Sequence, residues 1–134
     1  MFNATRYPAA TAYATVGLET AVASAAPHRL IQLLLEGTLL AIAQARQAID
    51  AGDIAEKGRA ISKAIQIIDE GLKTSLDDHG GELSVQLHGL YDYMSRRLLF
   101  ASLRNNTEAL YEVSSLLGEI KGAWVAIAPE NGEV

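Results

Sequence analysis

Residues 63–99, KAIQIIDEGLKTSLDDHGGELSVQLHGLYDYMSRRLL, hold two helical patterns of different phase that meet at one acidic, glycine-containing turn, Asp77-Asp78-His79-Gly80-Gly81. Ahead of the turn Ile61, Ile65, Ile68, Leu72 and Leu76 recur every three or four residues, and after it Leu83, Leu87, Leu90, Tyr91, Met94 and Leu98 do the same. That spacing paints one face of a 3.6-residue helix, so each half has one face to bury. Gly80 and Gly81 accept positive φ and stop the first helix. Glu82 then sets a carboxylate in the first turn of the second, where free N–H groups favour negative charge. The stretch is a helical hairpin, and the rest of the chain must supply the other half of its core.

The rest of the chain is long enough to do so. A chain of 134 residues forms one domain and buries a core without disulfides or a structural metal. Hydrophobic content of 49% against 20% charged residues rules out a disordered chain by composition, and only three prolines with pervasive three-to-four periodicity predict an all-α protein. The absence of cysteine removes thiol catalysis and Cys-based zinc sites, and is compatible with a reducing compartment. A net charge of -5 argues against nucleic-acid binding, which rests on neutralising phosphates. The first fifteen residues lack a basic segment followed by an apolar core, so no signal peptide is expected and the cytosol is the expected location. The apolar runs Leu30 to Leu35 and Leu39 to Ile42 are broken by Glu36 and bounded by Arg29 and Arg46, and no membrane-spanning segment is expected.

Residues 1–26 carry Pro8 and Gly17 without a sustained apolar stripe and are expected to form an N-terminal arm or short extra helix, with Tyr7 and Tyr13 as rings that gain by lying on apolar surface. The first long helix is expected to start at Pro27, whose missing N–H has no partner to lose there, and to run to about Ala51. At 100° per residue Ile31, Leu35, Thr38, Ile42, Ala45 and Ile49 share one face, whereas Leu33 and Leu40 point to the other side. Gly52 ends this helix, and Asp53 with Glu56 forms an acidic version of the capping box, opening a second helix from Ile54 to about Leu76 with the apolar stripe Ile54, Ile61, Ile65, Ile68 and Leu72. So short a turn forces the two helices antiparallel.

The third helix, about Glu82 to Leu103, carries Tyr93, Leu99, Phe100 and Leu103 away from its stripe. Asn105-Asn106 ends it and caps a fourth, Thr107 to about Ile127, in which Leu110, Val113, Leu117, Ile120, Trp124 and Ile127 follow a seven-residue repeat. The predicted fold is an antiparallel up-down-up-down four-helix bundle over residues 27–128, with residues 129–134 as a disordered tail.

Bundle cores can hold metals, but His28, His79 and His88 follow Ala25, Leu76 and Val85 at three residues' distance, so no Glu-x-x-His pair exists and no metal or other cofactor is expected. Phosphate-cradling glycine motifs are also missing. The acids Asp69, Glu70, Asp77 and Asp78 read as a solvated helix end rather than an acid–base pair, and Arg96-Arg97 as a surface ion-pairing site. No enzymatic activity is expected.

The chain carries, in order, Ala25-Ala26-Pro27-x-x-Leu30, Ala48-Ile49-x-x-Gly52-Asp53-Ile54, Lys63-Ala64-x-x-Ile67-Ile68, Ser75-Leu76-Asp77 ahead of Gly80-Gly81-Glu82-Leu83, Leu90-Tyr91-Asp92-Tyr93-Met94, Arg96-Arg97-Leu98 and a late Trp124. On these motifs it resembles the FliS family of flagellin export chaperones. The motifs cover residues 22–127 in the family's order. The chain departs from the family in having Ala26 where Ser or Asp usually precedes the proline, and Leu34-Leu35-Glu36-Gly37 where Leu-Tyr-Asp-Gly is usual. The resemblance implies a cytosolic chaperone that binds the disordered C-terminal segment of flagellin, blocks premature assembly and delivers the subunit to the flagellar export apparatus.

It also gives the two-faced helices a reason, because a receiver of an amphipathic segment needs apolar anchors of its own. Leu33 and Leu40 on the first helix, and Leu99, Phe100 and Leu103 on the third, are the candidate partner-binding residues. Tyr7 and Tyr13 are candidate latch residues that would cover part of this surface when flagellin is absent. The competing expectation is a structural bundle that buries the same faces by self-association, for example as a homodimer, with no flagellin client.

Overall fold

The structure, a computed structural model, describes residues 26–77 and 80–128. The described residues form an all-helical antiparallel four-helix bundle without strands: α1 (Pro27–Ala51), α2 (Ile54–Gln66, continuing through Ile67–Leu72 into Lys73–Leu76), α3 (Gly81–Arg104) and α4 (Thr107–Ala126). α1 packs on α2 and α4, and α3 packs on the same two helices, which puts α1 and α3 on a diagonal. Tyr7 and Tyr13 lie outside the described residues, as do Asp78, His79 and the acidic tail.

The ends of the helices follow local chemistry. Pro27 opens α1 behind Ala26, which supplies no side-chain cap. At the other end Gly52 is left-handed at φ 71°, and its N–H and that of Asp53 return to the carbonyls of Ile49 (3.1 Å) and Ala48 (2.9 Å). Asp53 Oδ1 accepts from the N–H of Glu56 at 3.1 Å, a cap of about 1 kcal/mol. The expected reciprocal half of the capping box does not form. The Asp53 N–H is already held by Ala48, and the Glu56 carboxylate turns to Arg59 instead, at 2.6 Å. Gly80 and Gly81 take φ 67° and 90°, as their lack of a Cβ permits. Asn105 ends α3 at φ 51°, and the Asn106 side chain accepts from Ala109 N–H at 2.8 Å to start α4. From across the bundle Lys57 Nζ donates to the Ser102 carbonyl (2.9 Å) and to Asn105 Oδ1 (2.8 Å), placing a cation where the last carbonyls of α3 carry negative partial charge.

The core is made by Leu35 and Ile42 of α1, Ile68 and Leu72 of α2, Met94 and Leu98 of α3, and Leu110, Val113 and Leu117 of α4, all fully buried. Thr38 is buried with them, and its hydroxyl donates to the Leu34 carbonyl at 2.8 Å, which removes the cost of an unpaired polar group.

Three positions assigned to apolar stripes are on the surface instead: Ile54 is 78% exposed, Leu83 68% and Ile127 67%. Each lies within a turn of its helix's end, where the periodic direction points past the neighbouring helices. Periodicity sets a direction and does not guarantee a neighbour.

A second departure lies in α2. The apolar spacing predicts one unbroken α-helix, but Ile67–Leu72 is a π-helical turn, in which the Lys73 N–H reaches five residues back to the Ile68 carbonyl. Gly71 sits in this turn, and a Cβ there would lie 3.2 Å from both terminal methyl carbons of Leu34 on α1. Glycine thus lets α1 approach the turn closely. On the opposite side a polar seam ties the turn to α3: Lys73 Nζ meets Asp92 at 2.5 Å and Asp69 at 3.3 Å, and Ser95 Oγ donates to Asp69 at 2.8 Å. The bond from Lys73 holds the Asp92 carboxyl below its ordinary range, and Asp92 in turn raises the Lys73 ammonium.

Candidate functional site

With the core closed, the apolar groups left on the surface identify where a partner can dock. Leu99 and Leu103 of α3 are 53% and 73% exposed and Phe100 38%, so the three form one outward face. Leu40 of α1 is 56% exposed and Leu33, two turns earlier on the same side, is half-buried. Because α1 and α3 are diagonal, these two faces look away from each other across the bundle. The five candidate residues therefore do not line one groove. They form two apolar strips on opposite sides.

Apart from these strips there is a feature that apolar spacing did not reveal. A groove of about 720 Å³ runs between the start of α1, the π turn of α2 and the end of α4, lined by Pro27, Ile31, Leu34, Ile67, Gly71 and Trp124 among others. Its end wall is a stacked pair, His28 and Trp124, with ring centroids 4.3 Å apart and planes 10° off parallel. Trp124 Nε1 donates to the His28 carbonyl at 2.8 Å, which closes the bundle end by joining α4 to the first turn of α1. His28 Nε2 is buried in this wall and has no hydrogen-bond partner. The one sequence signal for the groove was Gly71, a glycine inside a helix where alanine would be favoured by about 1 kcal/mol. Its meaning depends on Leu34 facing it from another helix.

Several charged groups outside the groove pair across helices, although Arg96 forms no ion pair among the described residues. Arg97 Nε donates to Glu112 at 2.8 Å, the surface ion pair expected for this arginine, and Tyr93 donates its hydroxyl to the same carboxylate. Those two bonds, the tyrosine's first, hold the Glu112 carboxyl below its ordinary range. Of the acids before the hairpin turn, Asp69 is tied to Lys73 and Ser95, and Glu70 accepts from Gln66 at 3.4 Å. Among the described residues no group of three or more His, Asp or Glu side chains is arranged to hold a metal ion, and no helix is long and apolar enough to cross a membrane.

A helical bundle with a closed core, an open groove and two apolar strips has surface that suits binding of another chain. The family described as "Flagellar protein FliS" matches residues 9–131. The chain belongs to the FliS family. Among its relatives, the flagellar secretion chaperone FliS of Salmonella typhimurium is 52% identical over 120 residues, 89% of each chain. The flagellar secretion chaperone FliSB of Pseudomonas aeruginosa is 50% identical over 117 residues, 87% of this chain and 92% of its own. The FliS of Bacillus subtilis is 37% identical over 106 residues, 79% of this chain and 78% of its own. The match covers α1 to α4, so the groove and both apolar strips of this FliS-family chain lie in the part that is shared. These relatives are named as chaperones, not as enzymes.

Proposed function

We propose that this FliS-family chain is a non-catalytic cytosolic chaperone that binds the disordered C-terminal segment of flagellin, keeps it from assembling prematurely and hands it to the flagellar type III export apparatus. One observation supports this above the others: three apolar surfaces, the groove and the strips through Leu33/Leu40 and Leu99/Phe100/Leu103, stay open although the core is complete. A single rigid helix in one groove cannot reach strips on opposite sides of a bundle. A disordered segment that orders on binding can wrap around it, trading entropy for contact area.

The test is calorimetric titration with a flagellin C-terminal peptide, with a truncated peptide as control. Saturable one-to-one binding of the full peptide is the expected result. A stable dimer by light scattering that ignores the peptide would replace this reading with self-association through the same strips.

We further propose that residues 1–26 act as an arm and that Tyr7 and Tyr13, which fall outside the described residues, serve to cover the client surface in the absence of flagellin. The support is its point of attachment: it joins the bundle at Pro27, which lines the groove. Removal of residues 1–20 is expected to leave the bundle folded and to raise the peptide's association rate, measured by stopped flow. An unchanged rate and affinity would end the latch role.

A further inference from the structure

An exposed phenylalanine on a helix ordinarily turns among several rotamers, and a partner that uses it must stop that motion at an entropic cost. Phe100 has a contact on its ring face in the partner-free structure. The guanidinium carbon of Arg97, one turn earlier on α3, lies 4.9 Å from the ring centroid, within cation–π range. The guanidinium is itself fixed, because its Nε donates to Glu112 Oε1 at 2.8 Å on α4. The carboxylate is fixed in turn, because Glu112 Oε2 accepts the Tyr93 hydroxyl at 2.5 Å. Tyr93, Glu112, Arg97 and Phe100 thus form one chain of contacts across the α3–α4 seam, anchored at both helices and ending on an apolar ring open to solvent. The other exposed ring beneath an arginine, Tyr111 under Arg46 at 4.5 Å, differs in this respect: among the described residues Arg46 is bonded to no carboxylate.

We propose that Arg97 is a positioning residue that, braced by Glu112 and Tyr93, presets the Phe100 ring in the orientation in which the flagellin tail meets it. This rests on the function proposed above. Arg97 acts through Phe100 and not by touching the client. Its guanidinium is planar and forked, so it can lay a face on the ring while its edge bonds the carboxylate, a pairing that an ammonium cannot reproduce.

The experiment is a double-mutant cycle on peptide affinity with wild type, Arg97→Met, Glu112→Gln, Phe100→Ala and the pair Arg97→Met/Phe100→Ala, all checked for unchanged melting temperature. Arg97→Met and Glu112→Gln are each expected to weaken binding about three- to tenfold, the cost of ordering one side chain that was ordered beforehand. Arg97→Met is expected to cost nothing more once Phe100 is alanine. In the peptide-free protein, ¹³C relaxation of the Phe100 ring should report wider motion in Arg97→Met than in wild type. Equal losses from Arg97→Met with and without Phe100 would overturn the proposal, since Arg97 would then act on the client directly. A Phe100→Ala chain that binds as wild type would overturn it while leaving flagellin binding intact. Failure of wild type to bind the peptide would instead remove the flagellin reading itself, and an unchanged ring mobility in Arg97→Met would dispose of the brace independently of any client.

Discussion

Leu40→Asp combined with Leu103→Asp is expected to weaken binding of a flagellin C-terminal peptide by roughly a hundredfold or more, with circular dichroism unchanged and the melting temperature within a few degrees of wild type. In the free protein both side chains stand more than half exposed, so a carboxylate at either site remains solvated and the fold gives up little. In the complex each would be pressed against apolar client surface, and an unpaired charge taken out of water costs several kcal/mol, where about 1.4 kcal/mol is a factor of ten in affinity. Since Leu40 and Leu103 lie on diagonal helices, each single substitution should remove part of the affinity, and their effects should add. Wild-type affinity in the double variant would show that neither strip meets the client. Loss of binding from only one of them would confine the client to that side of the bundle.

The neighbouring pair Leu98 and Leu99 gives the sharpest stability contrast. Leu98 is fully buried and Leu99 is 53% exposed, although they are adjacent in sequence and identical in type. Leu98→Ala is expected to cost about 2–5 kcal/mol, because it removes transfer free energy and leaves a cavity among Met94, Leu110 and their neighbours. For a chain of this length that lowers the melting temperature by roughly 10–20 °C, a large share of a typical total stability of about 5–15 kcal/mol. Leu99→Ala should move it by no more than a few degrees and should weaken peptide binding instead. Thermal denaturation followed at 222 nm, beside the same titration, separates the two. A Leu99→Ala chain that melts as early as Leu98→Ala would place Leu99 in the core and withdraw the α3 strip from the candidate site.

Much of this molecule was legible one residue at a time. The hairpin turn at Gly80-Gly81, the stop at Gly52, the caps at Asp53 and Asn106 and the buried registers of Leu35, Ile42, Leu72, Met94 and Leu98 all depend on local backbone chemistry or on the 3.6-residue period, both of which are written in neighbouring letters. The excess apolar groups on the first and third helices were visible for the same reason. Ile54, Leu83 and Ile127 show where this logic ends, because a helical period assigns a direction but cannot say whether another helix lies that way.

The tertiary structure decided what no single helix carries. The π turn at Ile67–Leu72 and the groove beside it exist where Gly71 meets Leu34 and where Trp124 closes on His28, partners separated by 37 and 96 residues along the chain. The placement of Leu33/Leu40 and Leu99/Phe100/Leu103 on opposite sides follows from the diagonal arrangement of α1 and α3, a property of how four helices pack around one core. The sequence by itself determined that four amphipathic helices would fold into an antiparallel bundle with apolar surface to spare. Only the packing determined that this surface is a groove and two separated strips, because a cavity and a face-to-face relation are set by distances between helices, and those depend on every side chain between them.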